Sequence, residues 1–204
     1  TGGGPNGIAI DAYDRVWFAD SAQNAIRRYD PEDRKLVMLA DQVDGQPLAK
    51  PNDLAFDKRG NVIFTCPGNS RQEPTGYVCC LQPDGSVEMI ANELYFPNGL
   101  AFLHDGQTLL IAETYRQRIW QGEWDDDACV WTGESVWARD LIGPPGPDGM
   151  AMGADGLLYV AVFGSGAIKV ISADGLIAES IDLPGAKPTN CAFDPTGALG
   201  LVIT

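Results

Sequence analysis

The sequence predicts an all-β fold, a β-propeller of four-stranded blades, and two observations carry this prediction. The first is a repeat in which a proline and a polar residue precede two short apolar strands, joined by a turn that contains glycine in four of the five copies. The second is composition, because 24 glycines and 14 prolines in 204 residues are typical of many short strands and turns. Stretches with a helical hydrophobic period are absent, so we predict a single β-propeller domain over residues 1–204.

Five copies of the repeat follow one another, with 41 to 50 residues between successive prolines. They start at Pro5, Pro51, Pro97, Pro147 and Pro188. Each copy opens with a hairpin, such as LAFD and NVIFT in the second copy, whose turn contains glycine. Further segments such as GYVCCLQ and SVEMIA add two strands, and four strands in roughly 50 residues make one propeller blade.

The number of repeats is not a whole number of blades. Four full repeats and one opening hairpin amount to about four and a half blades. Radial closure normally needs a whole number, because an open ring leaves strand edges unpaired. We therefore expect that the chain is part of a longer protein or that a second chain supplies the missing strands.

Charge and cysteine content exclude several classes of function. A net charge of −14 argues against nucleic-acid binding and against anionic membranes, and no apolar run is long enough to span a membrane. The five cysteines are odd in number and include no C-x-x-C pair, which argues against a disulfide framework and a zinc site. Reduced thiols favour a cytoplasmic protein, with a periplasmic location left open.

Polar residues at the start of each repeat are the candidate functional site. The innermost strands of a propeller start at one rim of its channel, so the residues just before them are expected to converge. These residues are Asn6, Asn52, Asn98, Asp148 and either Thr189 or Asn190. Amide and carboxylate oxygens suit calcium rather than zinc. Such residues also initiate turns, but their recurrence at one position in adjacent blades favours a metal site.

The motifs at these positions resemble those of a known family. Lys50-Pro51-Asn52-Asp53, the segment FPNGLA at 96–101 and the segment PDGM at 147–150 resemble successive motifs of the senescence-marker-protein/gluconolactonase/LRE-like propellers. The resemblance covers essentially the whole chain and is nearest to the gluconolactonase type. It implies a six-bladed ring, one catalytic calcium, or another divalent cation, and hydrolysis of a sugar lactone, a small-molecule substrate.

The resemblance also implies roles for individual residues. Asn52, Asn98 and Asp148 match metal ligands, and Asp148 additionally matches the proposed base or nucleophile. Lys50 stands where relatives carry a substrate-binding arginine, and Asn52 and Glu113 are further substrate-binding candidates, although a structural role is the alternative for Glu113. The family's remaining ligand is a glutamate in a Glu-Gly-Pro motif of the first blade. The sequence has no such motif, so we expect the first blade to be missing and the last to be truncated.

Two other functions remain open at this point. A neighbouring branch of diisopropyl-fluorophosphatase-like enzymes hydrolyses organophosphates and holds a second calcium, but Ala151 and Ala192 stand at those ligand positions and have no ligand atom. A non-catalytic, ligand-binding propeller is the other alternative.

The single histidine, His104, is predicted to lie in a solvated turn, so no Ser-His-Asp triad can form. The acidic run 125–127 is predicted to be a solvated loop.

Overall fold

The computed structural model of the protein describes residues 2–204 and confirms the all-β prediction. The regular structure of these residues consists of twenty strands and one 3₁₀ turn. No helix among them is long and apolar enough to cross a membrane.

Sixteen of the strands form four sheets of four strands each, in which consecutive strands are neighbours. The first sheet contains β1 (Pro5–Ile10), β2 (Val16–Asp20), β3 (Ala25–Asp30) and β4 (Lys35–Ala40). A short hairpin follows, made of β5 (Gln42–Val43) and β6 (Gln46–Pro47). The second sheet contains β7 (Leu54–Phe56), β8 (Val62–Cys66), β9 (Gly76–Leu81) and β10 (Val87–Leu94).

The second half of the chain repeats this organisation. The third sheet contains β11 (Pro97–Phe102), β12 (Thr108–Glu113), β13 (Arg118–Asp125) and β14 (Val130–Ala138), with the 3₁₀ turn Thr114–Arg116 after β12. The fourth sheet contains β15 (Gly146–Met152), β16 (Leu158–Phe163), β17 (Ala167–Ile171) and β18 (Ile177–Asp182). The final hairpin is β19 (Cys191–Phe193) and β20 (Leu201–Ile203). Four blade-type sheets and the final hairpin match the four repeats and the opening hairpin read from the sequence.

The strands belong to two compact units. The first unit comprises the described residues up to Pro97 together with Asp125–Val130, and the second comprises Asn98–Trp124 and Trp131–Thr204. Each unit has its own apolar core. The core of the first unit includes Ile26, Leu48 and Phe64, and that of the second includes Leu110, Ile119 and Leu158, all at most 1% exposed.

Turn chemistry explains the opening hairpin of the second repeat. In the second sheet, the Asp57 carboxylate accepts hydrogen bonds from the backbone N–H groups of Arg59 and Asn61, at 2.9 Å each. Gly60 then adopts a left-handed conformation with φ of 84°, which glycine tolerates at no steric cost. The Asp-x-x-Gly sequence of residues 57–60 is therefore the physical cause of this turn.

The position of the polar residue relative to the first strand differs from the prediction in three repeats. We expected it just before the strand, but β1, β11 and β15 already include it. The register of β1 against β2 shifts between Pro5 and Ile8, and that of β15 against β16 shifts between Pro147 and Met150. Such bulges let strand pairing continue past an irregular segment, which explains why these two strands start earlier than expected.

Candidate functional site

A chain of hydrogen bonds in the second unit connects the openings of the third and fourth sheets. The Nδ2 of Asn98 donates to the Oγ1 of Thr114 at 3.2 Å, and that hydroxyl donates to the carbonyl oxygen of Pro147 at 2.7 Å. Asn98 and Thr114 are buried, at 4% and 2% exposure. Pro147 directly precedes Asp148, so the chain ties one predicted metal ligand to the segment that carries another.

Local structure explains where the Thr114 hydroxyl lies. Strand β12 ends at Glu113, and the 3₁₀ turn that follows closes with a hydrogen bond from the N–H of Gln117 to the carbonyl of Thr114, at 3.1 Å. Gln117 has a φ of 52°, so the chain reverses directly into β13. The turn thus fixes Thr114 at the end of β12, beside the first strands of two sheets.

Two glycines allow the opening motifs of the second unit to approach one another. A Cβ atom on Gly99 would lie less than 3.0 Å from the carbonyl oxygen of Asp148. A Cβ atom on Gly149 would lie less than 3.0 Å from the Asn190 side chain, and the N–H of Gly149 donates to the carbonyl of Thr189 at 2.9 Å. Glycine is therefore needed here for space, and the backbone carrying half-buried Asp148 is held next to that of Asn98.

The first unit shows a related but more exposed arrangement. The Nδ2 of Asn6 donates to the Oδ1 of Asn52 at 2.8 Å, and the N–H of Gly7 donates to the carbonyl of Asn52 at 2.7 Å. The N–H of Asn52 donates to the carbonyl of Thr65 at 2.9 Å. The structure therefore brings Asn6 and Asn52 together, as predicted for adjacent repeats.

Asp53 is a buried carboxyl group to which the sequence reasoning assigned no role. Asp53 stands where three other repeats have glycine. This departure from the repeat pattern is the feature of the sequence that distinguishes the position. Its Oδ1 accepts a hydrogen bond from the N–H of Leu54 at 2.9 Å. Burial raises its pKa to about 6, although the hydrogen bond from Leu54 opposes this.

The two remaining substrate-binding candidates lie in very different surroundings. Lys50, in the first unit, is exposed, has a φ of 53°, and its Nζ donates to the Oδ1 of Asn69 at 2.9 Å. Glu113, in the second unit, is fully buried, and its Oε2 accepts hydrogen bonds from Arg118 Nε at 2.6 Å and Trp120 Nε1 at 2.8 Å. These contacts favour the structural role for Glu113.

The histidine and the acidic run named in the sequence analysis make their hydrogen bonds and ion pairs with residues outside the opening motifs. His104 is exposed in a turn as predicted, and its Nε2 hydrogen-bonds to the carbonyl of Gly153 at 2.9 Å. The carboxylates of 125–127 lie within 4.8 Å of one another, and two of the three residues are exposed. Asp126 and Asp127 pair with Arg59. Ala151 is half-buried and Ala192 is exposed.

The donor set of the second unit fits a hard cation. Because the amide nitrogen of Asn98 is held by Thr114, its Oδ1 is turned away from that hydroxyl, and no described residue donates a hydrogen bond to it. Amide and carboxylate oxygens are ligands that calcium prefers, and Asn98 and Asp148 supply one of each from neighbouring backbone segments. Asn52 lies in the other unit, so its role as a ligand stays a prediction from the sequence.

Blade-type sheets with oxygen donors at their openings define a β-propeller class with a candidate cation site. The family model described as "SMP-30/Gluconolactonase/LRE-like region" matches residues 32–204. The match includes most of the chain, and the chain therefore belongs to this family.

Individual relatives agree with this assignment. The chain is 29% identical to a gluconolactonase of Zymomonas mobilis, over 95% of the chain and 59% of the relative, and 32% identical to the diisopropyl-fluorophosphatase of Loligo vulgaris, over 80% and 60%. The solved structure of a gluconolactonase from Xanthomonas campestris matches with a TM-score of 0.85 and 30% identity, over 98% of this chain and 68% of that one. The chain thus spans about three fifths of the length of these two curated relatives.

Proposed function

We propose that the protein carrying this chain hydrolyses a sugar lactone, with a calcium ion held by Asn98 and Asp148. The observation that carries the proposal is the chain of hydrogen bonds from the Asn98 amide nitrogen through Thr114 to Pro147, which ties Asn98 to the segment that carries Asp148. The gluconolactonase relatives support the choice of a lactone. Asn52 remains the predicted third ligand, and another divalent cation could take the place of calcium.

The chemistry divides between the ion and the chain. Calcium, when bound, would polarise the lactone carbonyl and offset negative charge on its oxygen. Asp148 would act as the general base and accept a proton from water as the water oxygen bonds to the carbonyl carbon. The ring C–O bond then breaks, and the ring oxygen takes the proton from Asp148, which leaves an open-chain hydroxy acid. Half-burial of Asp148 suits this role, because the group is shielded but still reachable.

The substrate-binding residues of the first unit stay proposals as well. Lys50 offers an exposed ammonium group, which can contact a hydroxylated or anionic substrate as a point charge rather than as a bidentate fork.

All five cysteines are buried and free of disulfides, in agreement with the proposed cytoplasmic location.

An organophosphate hydrolase is the second candidate, and the Loligo vulgaris relative favours it. Ala151 and Ala192 argue against it, since neither supplies a ligand for the second calcium of that branch. Assays with a sugar lactone and with a fluorophosphate, run on the same sample, separate the two functions. A higher kcat/KM for the fluorophosphate would overturn the lactonase assignment.

The Asp148→Asn variant tests the proposed mechanism. Asparagine keeps an oxygen for the ion but removes the base, so lactone hydrolysis at saturating calcium should fall about a hundredfold or more. Asp182→Asn is the matched control, because Asp182 is exposed at the end of β18, and this variant should keep full activity. Wild-type rates in calcium-loaded Asp148→Asn would show that Asp148 is not the base.

A further inference from the structure

We infer that Thr114 is a positioning residue for the proposed metal site, and this inference rests on the proposed function. Thr114 is 2% exposed, and its hydroxyl has one partner on each side: Asn98 as donor and Pro147 as acceptor. A hydroxyl carries a single proton, so the two bonds determine each other's direction. Thr114 thereby acts on the predicted ligand Asn98 without needing to touch the ion.

The direction of these bonds decides which atom of the Asn98 amide is available. The proton of Thr114 goes to the Pro147 carbonyl at 2.7 Å, so Thr114 can only accept from Asn98, and the Asn98 atom facing it must be Nδ2. If the amide turned over, its oxygen would face the Thr114 oxygen. Thr114 would then have to redirect its proton and take a donor away from Pro147, at a cost of about 1–3 kcal/mol for a buried acceptor.

The turn that holds Thr114 is itself fixed from several sides. The preceding residue, Glu113, is buried and bonded to Arg118 and Trp120. On the other side, a Cβ atom at Gly146 would lie less than 3.0 Å from the Thr114 carbonyl oxygen, so the start of β15 packs directly against the turn. The hydroxyl therefore sits on a rigid support, and the orientation it imposes on Asn98 is set before any ion binds.

This arrangement explains why the position requires a hydroxyl group. Valine has the shape of threonine but can neither accept from Asn98 nor donate to Pro147, whereas serine can do both. Removal of a group that orients a metal ligand typically weakens metal binding 10- to 100-fold. We therefore expect calcium affinity to depend on the hydroxyl and not on the volume of the side chain.

The experiment measures calcium affinity by isothermal titration calorimetry in the full chain with Thr114→Val and Thr114→Ser. Thr114→Val should bind calcium at least about tenfold more weakly, and Thr114→Ser should stay within about threefold of the wild type. Excess calcium should restore the kcat of Thr114→Val, because Asp148 is intact. Thr108→Val is the matched control, since its hydroxyl donates to Asp105 at 2.7 Å in a turn of the same sheet, and its calcium affinity should be unchanged.

The outcomes separate this inference from the function on which it rests. A wild-type protein that binds calcium and opens lactones, combined with unchanged affinity in Thr114→Val, would overturn the role of Thr114 alone. Absence of calcium binding in the wild type would overturn both. Equal loss of affinity in the serine and valine variants would also contradict the inference, because retaining the hydroxyl in serine would then not preserve the site. If Thr114→Val does not fold, Thr114→Ala carries the same expectation without a buried methyl group at the hydroxyl position.

Discussion

The first sheets of the two units open with the same three residues, yet their asparagines lie in opposite surroundings. Asn6 of Pro5-Asn6-Gly7 is exposed and donates to another amide, that of Asn52. Asn98 of Pro97-Asn98-Gly99 is 4% exposed and donates to the hydroxyl of Thr114. An exposed amide can exchange its partner for water, whereas a buried amide cannot. The same motif is thus adaptable in one unit and fixed in the other.

The supports beneath the two motifs are closely similar. Each second strand ends in a fully buried acid paired with an arginine of the third strand: Asp20 with Arg27 at 3.2 Å, and Glu113 with Arg118 at 2.6 Å. Asp20 also accepts a hydrogen bond from the N–H of Gly4 at 2.8 Å, next to the opening motif. The scaffold is therefore repeated, while the burial and the hydrogen-bond partner of the asparagine differ.

The largest effect is expected from Gly99→Ala in the second unit. Its new Cβ would overlap the backbone of Asp148, which cannot move aside as a flexible side chain would. We expect a loss of about 3 kcal/mol in the free energy of unfolding, measured by urea denaturation. Gly185→Ala is the control, because nothing lies within 4 Å of its Cβ position, and it should be close to neutral. Equal stabilities of the two variants would show that the motifs do not pack this closely.

The next effect tests the two buried acids against each other. Glu113→Gln should cost about 2 kcal/mol of stability, because two hydrogen bonds lose their charged acceptor, and Asp20→Asn should cost a similar amount. The exposed Glu123→Gln serves as the control and should leave the thermal midpoint unchanged. Since Glu113 faces Arg118 and Trp120, the KM for the lactone should also stay unchanged. A higher KM with unaltered stability would restore Glu113 as a substrate-binding residue.

A smaller effect is expected from Asn6→Ala, which removes the donor to Asn52. The bond is exposed, so water can replace it, and calcium affinity should fall only two- to threefold, about 0.5 kcal/mol. Calorimetry alongside Thr114→Val checks the ranking directly. A loss in Asn6→Ala as large as that in Thr114→Val would contradict the contrast between the adaptable and the fixed asparagine.

The smallest effect is expected from Lys50→Ala in the first unit. Its exposed ammonium would add a single weak contact to a bound lactone, so KM should rise about threefold with kcat unchanged, and stability should stay within about 0.5 kcal/mol. Steady-state kinetics over a range of lactone concentrations measure both constants. Asn69→Ala releases the Nζ of Lys50 and should not raise KM. A fall in kcat instead of a rise in KM would refute the substrate-binding role.

The sequence by itself was sufficient for the fold class and the repeat. Strand alternation and Asp-x-x-Gly turns act over a few residues, so LAFD, NVIFT, GYVCCLQ and SVEMIA could be read as strands before any tertiary contact was known. Recurrence of the opening motif likewise selected Asn98 and Asp148, and the structure places their backbones side by side in the second unit.

Only the tertiary structure decided which side chains support these motifs. Thr114 lies 16 residues from Asn98 and 33 residues from Pro147 along the chain, so no local pattern links the three. The burial of Glu113 and the raised pKa of Asp53 likewise depend on strands that pack around them. Hydrogen-bond partners and burial arise from contacts between segments that are distant along the chain. The sequence gives the identity of each residue but not the residues that surround it in space.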